Sequence, residues 1–535
     1  MALDTTNWWC KMRLDWLKIK KFKNLSDVDI NFDERELSTV LIGDNGTGKS
    51  NVIEALVTIF RDLDLNETTS FAYFIAYNCH GYRIEIDNAF TESTLSLKVN
   101  GVQESRTTFY DRRAKYLPAN VFGYYSGSSR RLEQLFDRHQ LRYYKKVISP
   151  SSAPKDVKNV DLRRLFYCRP AYGQLALLSY FAFGSDSAKT FLKKHMGIVG
   201  FDSALIVLRR PRWAERQSKK STSMNAQNFW NSSGLVRGLL EKLRSHALAP
   251  IADNAREQDD YRAKPANEEQ IYIFIKDVNV LNEIARSFDD ERTFFALLET
   301  LDISDLIREV RIWVEKENVD GEIPFHEISD GEKQLLSVLG LMRFTSQDES
   351  LFLLDEPDTH LNPNWKWDYL HLVKDVAQRG ESHIILTSHD PLTIGSLMAS
   401  QVQVMSRSKD GTVTIRPPDV DPRGLGFTSI LTQIFGLPTT LDPDTQKLLD
   451  ERNQIVRLEQ RTPEHDIRLI ELNEKLKRLG FVIEDREPEY ELFLRAMTEI
   501  KQESRSALTP EMIAQRNQVA KQMLAKIMAR KENRR

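Results

Sequence analysis

Cysteine is nearly absent from this chain. Only Cys10, Cys79 and Cys168 occur in 535 residues, far apart and odd in number. That excludes a disulfide framework and suits a reducing cytosol. Their spacing gives no zinc-binding pattern either. No apolar run reaches the roughly eighteen residues that a membrane span needs. The opening MALDTTNWWCKMRLDW has no apolar signal core, so a cytoplasmic chain without a membrane partner is expected. Net charge is also scarce, at −2, so any nucleic-acid surface must be a local patch. Sustained heptads are missing, which argues for a compact body without a long coiled-coil arm. What remains, 41% hydrophobic and 28% charged, is the composition of a globular protein.

Against these absences stands LIGDNGTGKSNVIEAL, residues 41–56. An apolar strand, STVLI, runs into a loop with Gly43, Gly46 and Gly48, then Lys49, Ser50 and a helical stretch. The segment fits G-x-x-x-x-G-K-[ST], the phosphate-binding P-loop. Glycines let the loop turn its backbone N–H groups inward on an anion, and the helix N-terminus faces the same anion. Asn45, Thr47 and Asn51 complete the candidate ATP-binding loop. Lys49 reaches the β- and γ-phosphates of ATP, and the Ser50 hydroxyl ligates Mg²⁺.

ESLFLLDEPDTHLNP places four apolar residues before Asp355 and Glu356. A buried strand ending in two carboxylates is what a Walker B element needs. Asp355 holds the Mg²⁺ and Glu356 polarises the attacking water. HIILTSHDPL repeats the pattern and ends in His389, placed to sense the terminal phosphate. In HEISDGEKQLLSVLGLMRF, Ser329 and Glu332 form an S-x-x-E capping box, so a helix begins there. Its N-terminus, with Ser329 and Gly331, is a second anion site, which implies a composite nucleotide site.

In this order the motifs resemble the ABC-type ATPases of the SMC, RecF and DNA-repair branch. ISDGEKQ is similar to that branch's signature, LDEPDTHLNP to its Walker B and D-loop, LTSHD to its switch histidine, and WLKIKKFKNLSDVDINFDE to its first hairpin. The resemblance implies two heads sandwiching two ATPs, in a homodimer or higher oligomer. Lys49, Ser50, Asp355, Glu356 and His389 then act in cis, and Ser329 and Gly331 in trans, with Asp358 near the dimer seam. The branch usually places a glutamine after an early strand. NVFGYYSGSSRRLEQLF has none at its strand end, so that ligand stays unassigned. Within the branch, YYSGSSRRLEQLF, EISDGEKQ, DEPDTHLNP and a helical tail after LTQIFGLPTTLD are most similar to the PtuA-type ATPases of Septu and retron antiphage systems. That implies a PtuB-like HNH nuclease partner and, in retrons, a reverse transcriptase with its RNA–DNA product (msDNA). A RecF-like DNA clamp and an ATP-stabilised assembly scaffold are the alternatives.

The expected fold is α/β: an ABC-type P-loop ATPase head with a mixed sheet, a helical insertion and a helical C-terminal tail. Residues 1–125 form the N-terminal ATPase lobe, 126–320 a mostly helical insertion, 321–415 the lobe with signature, Walker B and switch histidine, and 440–535 a helical docking or oligomerisation region. The segment RRPRWAERQSKK carries Arg209, Arg210, Arg212, Arg216, Lys219 and Lys220 around Trp213. A flexible basic loop with an aromatic suits a DNA or RNA backbone, although a charge run also serves as a solvated face. A second cluster holds Arg130, Arg131, Arg138, Arg142, Lys145 and Lys146. The acidic pairs Asp419/Asp421 and Asp442/Asp444 sit among prolines and read as turns, not as a nuclease centre.

Overall fold

The computed structural model describes residues 11–91, 94–147, 163–217, 226–258, 262, 264–345, 349–378, 381–458 and 461–481. The chain divides into two units, Met1–Gly436 and Leu437–Arg535. The first is organised by a seven-stranded sheet. Its order across the sheet is Val413–Arg416, Val402–Arg407, Ser38–Gly43, His383–Thr387, Leu351–Asp355, Val121–Tyr125 and Leu165–Tyr167. All neighbours are parallel except the Val402–Arg407/Val413–Arg416 edge pair. These strands are short and almost wholly apolar, as a parallel sheet covered on both faces requires.

Alternation along each strand sorts its side chains between two cores. Val40, Ile42, Phe122, Phe352, Leu354, Ile384 and Leu386 face one core, with the helix Tyr172–Phe183 and the stretch that follows the signature. Leu41, Val121, Leu351, Leu353 and Ile385 face the other, with the helix Lys49–Leu65 and a six-stranded antiparallel sheet. That second sheet opens with the hairpin Arg13–Phe22/Leu25–Asn31, where WLKIKKFKNLSDVDINFDE places it. The two sheets are tied at buried His383, whose Nδ1 accepts from the Leu14 N–H at 2.9 Å.

Helices make up most of the regular structure in 126–320, but the stretch is not helical throughout. It carries helices, but also the body of a five-stranded antiparallel sheet, ordered Ile251–Glu257, Ala266–Ile275, Ile198–Arg209, Ile307–Lys316, Glu322–Pro324. In IREVRIWVEK, Val310, Ile312 and Val314 are buried on one face while Arg311 and Glu309 pair on the other. That period of two is a strand signal, overshadowed by the long apolar helices on either side.

The signature helix begins at Asp330 and widens into a π-helical turn at Leu336–Gly340. The Tyr180 hydroxyl donates to the Gly340 carbonyl at 2.6 Å and steadies that turn. In the second unit, the helices Pro443–Val456 and Pro463–Arg478 form a hairpin, clasped by a two-pronged Arg468–Glu451 pair. The basic terminal segment RNQVAKQMLAKIMARKENRR lies outside the described residues. Asp442 caps the first of these helices, and Asp421 in the first unit accepts from the Ala399 N–H. Among the described residues, no helix is long and apolar enough to cross a membrane.

Candidate nucleotide site

The P-loop forms where the Ser38–Gly43 strand hands over to the Lys49–Leu65 helix. Gly46 and Gly48 take positive φ, 80° and 103°, a region that glycine enters without strain. At Gly43 a Cβ would lie 2.1 Å from the Met405 carbonyl oxygen, so only glycine fits against the neighbouring strand. No side chain caps the helix N-terminus, so its amides remain available to an anion. Lys49 Nζ donates to the Gly43 and Asp44 carbonyls at 2.6 and 3.1 Å, curled over the loop. Burial pulls the Lys49 ammonium below its ordinary pKa, while Glu356, Asp355 and Asp44 push the other way. Thr47 is buried and its hydroxyl donates to the Asp44 carbonyl. Asn51 donates to Asn24, and Asn24 in turn to the Gly46 carbonyl, so FKNL in the first hairpin braces the loop.

Register brings the carboxylates to this loop. Asp355 lies opposite Thr387 on one neighbouring strand and Tyr125 on the other. Asp355 Oδ1 accepts from Ser50 at 3.0 Å and from Thr387 at 2.6 Å. Burial raises the Asp355 pKa, opposed by those hydroxyls and by Arg131. Glu356 follows with φ of 53°, a left-handed backbone in a non-glycine residue. Such a conformation costs about 1–3 kcal/mol and collects at functional sites. Here it turns the Glu356 carboxylate onto His389, Oε1 to Nε2 at 2.6 Å, while the Glu356 N–H donates to Thr387. Ser50, Asp355, Thr387, Glu356 and His389 therefore form one connected hydrogen-bonded group. Its paired hydroxyl and carboxylate are hard oxygen donors of the kind that suit Mg²⁺.

The signature end is built as its capping box requires. Ser329 Oγ accepts from the Glu332 N–H and the Glu332 carboxylate accepts from the Ser329 N–H. Gly331 has no room for a side chain, since a Cβ would meet the His360 carbonyl oxygen at 2.8 Å. Gln334 bridges signature and D-loop: it donates to the Pro357 carbonyl and accepts from the His360 N–H. Asp358, expected near a dimer seam, is buried within the single chain. It accepts from Ser388 and Thr393 of its own switch loop, both at 2.6 Å. An aspartate flanked by proline and threonine gives no sign in sequence of which way it points.

The basic clusters are redistributed as well. Arg209 ends a strand and pairs with Asp305 and Glu268, and Trp213 donates to the Ser304 carbonyl. Arg210 is partly buried, its Nε without a partner. Arg209 and Trp213 thus belong to packed structure, not to a flexible loop. Among the described members Arg212 is the exposed one, at 83%. The Arg216 side chain, Lys219 and Lys220 lie outside the described residues. In the second cluster Arg130 pairs with Glu133 and Arg138 with Glu67, whereas Arg131 reaches Asp355 inside the nucleotide site. Folding also gathers Cys79, His80 and Glu349, three donors within 4.8 Å of one another. Glu349 there accepts from the His80 N–H, and burial lifts the Cys79 thiol well above its usual pKa, so the cluster reads as structural. A cavity of about 900 Å³ lined by Phe181, Lys193, Val199, Phe201 and Arg286 is remote in sequence from every motif residue.

Residues 12–233 match the family model described as "AAA ATPase domain", and residues 176–395 the one described as "AAA domain, putative AbiEii toxin, Type IV TA system". Among curated proteins, the chain is similar to the Septu protein PtuA of Bacillus thuringiensis, 30% identical over 158 residues, 25% of this chain and 39% of that protein. It is also similar to the Septu protein PtuA of Bacillus mycoides (strain KBAB4), 29% identical over 103 residues, 19% of this chain and 14% of that one. The chain thus spans 39% and 14% of the length of these relatives. Among solved structures, an Smc head bound to the C-winged helix domain of ScpA is 14% identical, with a TM-score of 0.32 over 75% of this chain and 96% of that one. The SMC head domain from Thermotoga maritima is 13% identical, with a TM-score of 0.31 over 76% and 100%.

Proposed function

We propose that this P-loop chain, similar to PtuA, binds ATP with Mg²⁺, hydrolyses it, and serves as the regulatory ATPase of an antiphage defence complex. The observation that carries the reading is the connected group Ser50–Asp355–Thr387 and Glu356–His389, which brings two distant segments to the P-loop. Lys49 and the loop amides hold the β- and γ-phosphates. Ser50 and Asp355 would hold Mg²⁺, which supplies charge neutralisation at the transferring phosphoryl group. Glu356 accepts the proton of the attacking water, and His389 keeps that carboxylate oriented.

Two finer parts of the proposal rest on the resemblance. In an ATP-bound homodimer or higher oligomer, the Ser329–Gly331 end of one copy completes the site of the other. The partner acted upon is an HNH nuclease of the PtuB kind, alone or, in a retron, with a reverse transcriptase and its msDNA.

Phosphate release by the purified chain, with gel filtration of Glu356→Gln in ATP, tests the core reading. Hydrolysis that stops in Lys49→Ala, and a nucleotide-dependent larger species in Glu356→Gln, support it. Hydrolysis that persists in Lys49→Ala refutes it. For the trans role, Lys49→Ala and Ser329→Arg are mixed as separately inactive chains. Recovered turnover or one trapped nucleotide per mixed dimer supports Ser329 in trans; neither in demonstrably mixed dimers withdraws it. Co-expression with a Septu-type HNH protein tests the partner, and ATP-insensitive cleavage by the pair counts against regulation.

A further inference from the structure

Arg131 stands where a divalent cation would meet Asp355. The residue lies just beyond the Val121–Tyr125 strand, in the stretch that lacks the branch's glutamine. Its Nη2 is 3.0 Å from Asp355 Oδ2, and its guanidinium lies 4.5 Å above the Tyr125 ring. Asp355 Oδ1 already accepts from Ser50 and Thr387. Both carboxylate oxygens thus face donors, and a cation taking Ser50 and Asp355 as ligands must compete with the guanidinium.

The surroundings offer Arg131 another place. Glu54, buried on the P-loop helix, has Oε2 on Lys23 Nζ. Its Oε1 is 3.7 Å from Arg131 Nε, and both atoms are buried without a hydrogen-bond partner. Two cations, Lys23 and Arg131, face two carboxylates, Glu54 and Asp355. Lys49 and Glu356 also act on Asp355, and a dication added among these charges loosens the hold on Arg131 at Asp355 and leaves Glu54 Oε1 to receive it.

We propose that Arg131 is a displaceable counterion. It keeps Asp355 in place until the metal–nucleotide complex arrives, then shifts from Asp355 to Glu54, so that it sets the metal affinity of the site. The proposal rests on the nucleotide-site reading above. Arg131 is a positioning residue here, acting through Asp355.

Mn²⁺ binding to the full chain with saturating ADP, read from loss of the free-ion electron paramagnetic resonance signal, tests it without turnover. Arg131→Ala should tighten Mn²⁺ at least threefold, and Arg131→Lys, with a shorter reach, by less. Glu54→Gln, which removes the receiving carboxylate, should weaken Mn²⁺ at least threefold while Arg131 stays on Asp355. Melting in EDTA identifies variants that remain folded, and Arg131→Lys stands in if Arg131→Ala does not fold. Unchanged or weaker Mn²⁺ binding in a folded Arg131 variant overturns the counterion role, as does tighter binding in Glu54→Gln. Absence of ADP-dependent Mn²⁺ binding in the wild-type chain overturns the nucleotide-site reading itself.

Discussion

The seven-stranded sheet and the five-stranded sheet use charge in opposite ways. The first is parallel in its core, with apolar strands whose C-terminal ends open onto loops. Those ends gather Ser50, Arg131, Asp355, Glu356 and His389, residues that are far apart in the chain, and leave them facing a common space. The second is antiparallel, and its charges are consumed locally: Arg311 pairs with Glu309, Arg308 with Glu257 and Glu268, and Arg209 with Asp305 and Glu268. A charge at the end of a parallel strand is available for chemistry, whereas those of the antiparallel sheet are taken up along the same strand, on another strand of the sheet or in the turn that leads into it.

Substitutions can break this contrast. The largest effect is expected from Lys49→Ala, which should lower ATP affinity at least a hundredfold in equilibrium binding, since Lys49 already curls over the P-loop carbonyls. Glu356→Gln should leave binding intact and slow phosphate release by about 10²–10⁴-fold, the usual worth of a positioned base. In the antiparallel sheet the same kind of change should act on stability. Arg209→Glu turns an ion pair with Asp305 into a repulsion and should destabilise by about 1–3 kcal/mol. A lower thermal midpoint with unaltered ATP affinity is the expected pair of results. An unchanged midpoint would erase the distinction between the two sheets.

His383 gives a pH-dependent version. Burial, and then the charge of Arg13, hold its pKa well below the ordinary range. The folded state therefore binds fewer protons than the unfolded state. This contribution to stability is complete above the unfolded pKa of about 6.5 and declines as pH falls below it. His383→Asn, which keeps an acceptor for the Leu14 N–H, should flatten the fall in thermal midpoint between neutral and mildly acidic pH. An identical pH profile in the variant counts against His383. The smallest effect belongs to Arg212→Glu. At 83% exposure it should leave the midpoint alone. If the segment touches nucleic acid, it should reduce the salt slope of log K by about one.

Legibility followed periodicity and local chemistry. The P-loop, the capping box at Ser329 and the strands ending at Asp355 and Thr387 could be read because glycine spacing, an S-x-x-E pair and short apolar runs state their own geometry. The first hairpin and the helical character of the tail could be read for the same reason. Arg131 could not. Nothing in SSRRLEQ distinguishes it from Arg130, which turns outward to Glu133; only the path of the chain after Tyr125 brings one of the two to Asp355. Asp358 was hidden in the same way, as its partners Ser388 and Thr393 come from another strand's loop. The insertion's sheet left a signal in IREVRIWVEK, but its partner strand Ile198–Arg209 lies about a hundred residues earlier, and pairing at that range leaves no local mark.

The flush register of the central strands carries one more consequence. Thr387 meets Asp355, Asp355 meets Tyr125 and Leu41 meets Thr387. Because side chains alternate, sliding the His383–Thr387 strand by a single residue would aim Thr387 at the opposite face and strand His389 away from Glu356. The same slip would bury no less hydrocarbon, since Ile384, Ile385 and Leu386 are apolar on both faces. Hydrophobicity alone is therefore a poor judge of this strand's alignment. The polar stitches at its two ends, His383 to Leu14 and Thr387 to Asp355, decide it. The residues gathered at the candidate site also proofread the fold, and a chain that is misaligned here would be compact yet lack the group around Asp355.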